Sequence, residues 1–110
     1  MIRAEMFRSN GRFVGFHCEG HAKFDRAGRD IVCSAVSALT TAIANGITEV
    51  AKVQAGVSAN GRDGTHFILA ADIGGEDWDR AELLLQTLEL GLRAIEREYP
   101  RNLKVTIREV

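Results

Sequence analysis

Residues 30–53 read DIVCSAVSALTTAIANGITEVAKV, and the rest of the chain arranges itself around them. Val32, Val36, Leu39, Ile43, Ile47 and Val50 recur at steps of three and four, the spacing that lines up side chains on one face of an α-helix. Most of the other positions are alanine, serine or threonine, which lets neighbours approach closely on two or more sides. The spacing therefore predicts a central helix over 30–53. Asp30 is suited to cap it by accepting from the amides of Val32 and Cys33, which puts Cys33 in the first turn. Gly46 is a mild weakness inside the helix.

Upstream, IRAEMFR (2–8) and RFVGFHC (12–18) alternate partially and flank SNG, a β-hairpin signal. Regular alternation would point His17 and Cys18 to opposite faces. Downstream, AGVSAN and THFILAADI flank GRDG, and the pairs Asn60-Gly61 and Asp63-Gly64 suit a tight connection, so a second hairpin is expected. Its later strand sets Phe67, Leu69, Ala71 and Ile73 against His66, Ile68, Ala70 and Asp72. A second helix is expected from Glu76 to Glu98, with Trp78, Ala81, Leu84, Leu85, Leu88, Leu92 and Ile95 on one face and Pro100 beyond its end. Leu83 and Leu90 project from the opposite side of that helix, as isolated surface leucines or as a subunit contact. The closing LKVTIREV alternates Leu103, Val105 and Ile107 with Lys104, Thr106 and Arg108. The order is ββαββαβ, an α+β fold with a mostly antiparallel sheet and two helices.

The bulk numbers bound the function. A chain of 110 residues makes a single domain, 1–110. Fourteen basic and fifteen acidic residues give a net charge of -1, so no global field favours nucleic acid. The N-terminal MIRAEMFRSN lacks the apolar core of a signal peptide, and no stretch is expected to reach the roughly 20 apolar residues of a membrane span. A cytoplasmic protein is expected, with Cys18 and Cys33 as thiols.

Cys33 carries the chemistry. A first-turn cysteine lies near unpartnered amides and the positive end of the helix dipole, which favour thiolate. His21, in the preceding loop, is close enough along the chain to fold back on the helix start and form a Cys-His pair. Such a pair supports acyl transfer without a metal or cofactor, with the amide of Cys33 or Ser34 available to an oxyanion. The plain alternative is a small apolar filler at a helix start, and Asp30 opposes activation unless capping or His21 neutralises it. His17, Cys18, His21 and Cys33 do not show the paired spacings of zinc sites, and no phosphate loop, serine elbow or zincin motif is present. His66 reads as a partly exposed strand histidine, and Gly74-Gly75 as a turn.

GHA at Gly20 to Ala22, followed by G-R-DIVCSAVSAL from Gly28 to Leu39, resembles the signature of the bacterial ribosomal-processing cysteine protease family, Prp. The resemblance extends over nearly the whole chain, because the elements follow the same order. It implies that Cys33 is the nucleophile and His21 the catalytic histidine, with Asp30 and Ser37 at further motif positions. It further implies removal of an N-terminal extension from large-subunit ribosomal protein number twenty-seven, cleavage after phenylalanine in an extended apolar peptide, and a homodimer. Gly20, Ala22, Phe24 and Gly28 then belong to a substrate loop. The filling KFDRAG departs from the family, and Lys23, Asp25 and Arg26 there bear on peptide fit. A noncatalytic ribosome-associated module with a structural Cys33 is the main rival, and a redox thiol resolved by Cys18 a second.

Overall fold

The computed structural model describes residues 1–20, 31–59, 67–70 and 76–110, and for 57–59, 67–70 and 76 the backbone alone. The expected caps and turns at Asp30, Asn60-Gly61, Asp63-Gly64 and Gly74-Gly75 lie outside the described residues, as does His66. The ββαββαβ order is observed: β1 (Ile2–Ser9), β2 (Arg12–Glu19), α1 (Ile31–Asn45), β3 (Gly56–Ala59), β4 (Phe67–Ala70), α2 (Glu76–Glu98) and β5 (Leu103–Glu109).

The first hairpin closes through Asn10 and Gly11 at φ of 52° and 78°. Two successive positive values are what a two-residue turn needs to follow the twist of its strands, and asparagine followed by glycine tolerates them. The register shifts between Phe7 and Arg8, leaving Val14 as the extra residue of a bulge.

The five strands form one sheet in the order β3-β4-β2-β1-β5, antiparallel throughout except where β1 and β5 run parallel. Two crossovers follow from that order. The chain goes from β2 through α1 to β3, passing over β4, and from β4 through α2 to β5, passing over β2 and β1. Both joined pairs are parallel, so both connections need a helix to span them. Ile2, Ala4, Met6, Phe16, Cys18, Leu103 and Val105 line the covered face and are buried. Arg3, Lys104, Thr106 and Arg108 alternate with them and are exposed. His17 and Cys18 do face opposite ways.

The core stripe of α1 is Val32, Val36, Thr40, Ile43 and Ala44. Thr40 is accommodated there because its hydroxyl donates to the Val36 carbonyl at 2.8 Å, which removes the cost of burying it. The expected helix over 30–53 is cut short. After Asn45 the chain widens into a π-helical turn, Gly46–Val50, in which Ala51 N–H donates five residues back to the Gly46 carbonyl. A wider turn rotates less per residue, so Val50 no longer returns to the inner face and is 81% exposed, against the expectation.

Composition also corrects a second expectation. The twenty residues Ile31–Val50 are by length and composition long and apolar enough to cross a membrane, with Glu49 the one charge. Here that apolar content serves a helix packed on a sheet: Ile47 adds to the buried stripe, and the outer positions Ser34, Ala35, Ala38, Thr41 and Ala42 are small and exposed.

The helix α2 buries Ala81, Leu85, Leu88 and Leu92 and leaves Leu83 and Leu90 exposed, as its periodicity predicts. It runs antiparallel to α1, with Gly91 against Leu39 and Leu84 beside Gly46. The approach at Gly91 is close enough that a Cβ there would lie 2.7 Å from Leu39 Cδ2. Trp78 Nε1 donates to the Phe13 carbonyl at 3.0 Å and Phe13 N–H donates to Glu82 at 3.0 Å, which fastens α2 to the start of β2.

Candidate active site

The two crossovers bring the start of α1, the end of β2, the end of β3 and the start of β4 to one end of the sheet. Cys33 is the third residue of α1 at that end. Its place in the first turn sets it at the positive end of the helix dipole. Buried Val32 and Val36 hold the helix start against the core, while Cys33 is half-buried at the margin of the same cluster. Ser37 lies one turn further along the same flank and is also half-buried; Ser34 is exposed.

At the end of β2, Gly20 has φ of 93°, and a Cβ placed on it would sit 2.5 Å from the Met1 carbonyl oxygen. Both facts require glycine at the point where the chain leaves the sheet, immediately before His21. His21, Ala22, Phe24, Gly28 and Asp30 lie outside the described residues. The sequence reading places Gly20 only as part of a loop, and the backbone of Met1, which makes glycine obligatory there, leaves no local signature.

The second cysteine has a different character. Cys18 is fully buried, and desolvation pushes its thiol up to about 12. A thiol in that setting neither ionises near neutrality nor meets an incoming sulfur, so nothing about it suits a resolving cysteine. On the uncovered face of the sheet, Arg3, Glu5, His17, Glu19, Lys104 and Thr106 line an open polar depression of about 430 Å³. His17 Nδ1 lies 3.9 Å from Glu5 and Nε2 3.9 Å from Glu19. Among the described residues, no group of three or more histidine, cysteine or acidic side chains is arranged to hold a metal.

Comparison with known proteins fits this geometry. The ribosomal processing cysteine protease Prp of Bacillus subtilis is 32% identical over 109 residues, 96% of each chain. That of Staphylococcus aureus is 30% identical over 95 residues, 86% of this chain and 87% of the relative. Among solved structures, SMU.848 from Streptococcus mutans superposes with a TM-score of 0.86 at 25% identity, over 100% of this chain and 96% of the other. The essential ribosomal processing protease Prp from S. aureus, in complex with a covalently linked product peptide, gives 0.86 at 27% identity over 98% and 100%. The same enzyme with a substrate peptide gives 0.82. The sequence pattern described as cysteine protease Prp matches residues 1–104. With a half-buried cysteine in the first turn of its crossover helix and a match spanning nearly its whole length, the chain belongs to the cysteine protease Prp family.

Proposed function

We propose that this enzyme is a processing endopeptidase that removes the N-terminal extension of large-subunit ribosomal protein number twenty-seven, through a dyad of Cys33 and His21. The observation that carries the reading is the position of Cys33: third in α1, half-buried, on a helix start fixed by buried Val32 and Val36. The relatives' names supply the ribosomal substrate class.

In this mechanism the Cys33 thiolate attacks the scissile carbonyl carbon, and the oxyanion is received by a helix-start amide, that of Cys33 or Ser34. The imidazolium of His21 protonates the departing amine as the C–N bond breaks, leaving a thioester. The neutral imidazole then takes a proton from water, which attacks the thioester and releases the acid and the thiolate. Asp30 caps the helix or orients His21, and Ser37 supports the wall beside the sulfur. Gly20, Ala22, Phe24 and Gly28 contribute the substrate loop, which receives an extended apolar peptide and directs cleavage after an aromatic residue. The enzyme works in the cytoplasm as a homodimer, for which exposed Leu83 and Leu90 are the natural contact.

Mass spectrometry of a peptide spanning the extension tests this directly. Cleavage at one bond by wild type, lost in Cys33→Ala and His21→Ala proteins that remain folded, supports the dyad. Absence of cleavage of both peptide and intact ribosomal protein overturns it in favour of a binding module.

A further inference from the structure

The end of the sheet that carries Cys33 also holds a close contact between main chains. The Met1 carbonyl and the Ile2 N–H belong to one peptide unit, which is trans, so the two groups point opposite ways. Ile2 N–H donates to the Asn102 carbonyl at 2.9 Å, on the β5 side. The Met1 carbonyl is thereby turned to the β2 side, where it lies against Gly20: a Cβ built on that glycine would sit 2.5 Å from the oxygen and 3.5 Å from the carbon.

Both partners in this contact are held. Ile2 is fully buried and pairs with Leu103, and the N–H groups of Asn102 and Leu103 both donate to the Tyr99 carbonyl, at 3.0 and 3.2 Å. Tyr99 N–H in turn donates to the Ile95 carbonyl at 2.8 Å, so a short run of main-chain bonds ties the Met1-Ile2 peptide to the end of α2. On the other side, the ladder between β1 and β2 runs up to Arg3 opposite Glu19, the residue before Gly20. Gly20 then turns to φ of 93° immediately before His21, with the Met1 oxygen in the space a side chain would need.

We infer that the Met1 carbonyl is a positioning element of the peptidase: packed on Gly20, it fixes the direction in which the chain leaves β2 and so the path by which His21 is delivered to Cys33. This inference rests on the dyad proposed above and adds to it main-chain atoms remote in sequence from both of its members. The Met1 side chain is 41% exposed and is not what makes the contact. The expected effect follows from proximity: a misplacement of about 1 Å between reacting groups costs up to about a hundredfold in rate.

The test uses protein released from a cleavable fusion so that it begins at Ile2, assayed for kcat and KM on the extension peptide beside wild type, Gly20→Ala and the combination of the two changes. The Ile2 nitrogen, now an amine, can still donate to Asn102, while the Met1 carbonyl is gone. The expected result is a fall in kcat per folded molecule of about tenfold or more with KM within about threefold, and rescue of kcat when alanine is supplied at position 1, because the carbonyl belongs to the main chain. Gly20→Ala drives a Cβ into the same oxygen, so it should lower kcat by a similar factor, and the combined loss should fall well short of the product of the two. A kcat within about twofold of wild type in the folded Ile2 protein, or losses that multiply, overturns the inference and leaves the peptidase standing. If the Ile2 protein does not fold, Gly20→Ala decides: lowered kcat at unchanged KM supports the inference, and wild-type kcat in the folded protein overturns it. Failure of wild type to cleave, or full activity in His21→Ala, overturns the dyad and this inference with it.

Discussion

Replacing Glu96 by alanine tests whether α2 seals the β5 edge as the geometry requires. The Glu96 carboxylate accepts from Val105 N–H at 2.8 Å and faces the guanidinium of Arg93 at 3.4 Å, in a partly buried setting. A hydrogen bond to a charged partner contributes about 1.5–3 kcal/mol, and partial solvent access selects the lower half of that range. Alanine recovers only a few tenths of a kcal/mol in helix propensity. The expected net loss is about 1.5–2 kcal/mol, which at roughly 4 °C per kcal/mol for a chain of this size lowers Tm by about 6–8 °C. Urea unfolding should show a lower midpoint with an unchanged slope, and sedimentation should reveal new self-association, because an opened edge strand is a template for pairing. Glu96→Gln retains an acceptor and should lose less than half as much. A midpoint for Glu96→Ala within about 0.5 kcal/mol of wild type would falsify the plug, since water would then be serving Val105 as well as the carboxylate does.

Three other perturbations read separate parts of the structure. The folded-state pKa of Cys18 lies above its ordinary value of 9.0, at about 12, so its contribution to stability is complete below pH 9 and falls as the pH rises toward 12. Cys18→Ala should therefore flatten the alkaline loss of stability by about 1.4 kcal/mol per pH unit above pH 9, and parallel curves for the two proteins would count against burial as the cause. Gly20→Ala forces a side chain into positive φ and against the Met1 carbonyl, and should cost on the order of 1–3 kcal/mol; thermal unfolding indistinguishable from wild type would refute the fit. Gly91→Ala gains about 1 kcal/mol of helix propensity but meets Leu39 at 2.7 Å, so it should stabilise a Leu39→Ala background more than wild type by at least about 1 kcal/mol. Additivity in that cycle would mean that Leu39 simply moves aside.

What the sequence discloses follows the range of the interactions involved. The hairpin turn at Asn10-Gly11, the inward face of α2 and the alternation of β5 are local patterns, and the structure reproduces them. The position of Cys33 in a first turn is legible for the same reason, and the joint GHA and DIVCSAVSAL motif supplies what spacing alone leaves open. Val50 misleads because a regular 3.6-residue repeat takes no account of Gly46 opening a wider turn. Strand order is invisible locally: β1 carries the same alternation whether it ends at an edge or, as here, between β2 and β5. The plug at Val105 is hidden in a different way, because Arg93 and Glu96 read as ordinary helix-surface charges until the crossover sets them over a sheet edge.

The same crossover explains why a thiol can be both accessible and firmly held. Helix ends fray unless they are tied down, and a nucleophile displaced by an ångström loses much of its advantage. In α1 the residues before and after the thiol on the sheet-facing side, Val32 and Val36, are fully buried, so the first turn is anchored by packing. Cys33 stands some 60° from Val36 around the helix, far enough to open toward the edge of the layer and near enough to share its rigidity. Moved one residue toward the core, it would meet the fate of Cys18, whose burial holds the proton on sulfur. Moved one residue outward, to Ser34, it would gain solvent and lose the packing that aims it. The flank of a crossover helix, turned from its partner helix, is where both demands are met.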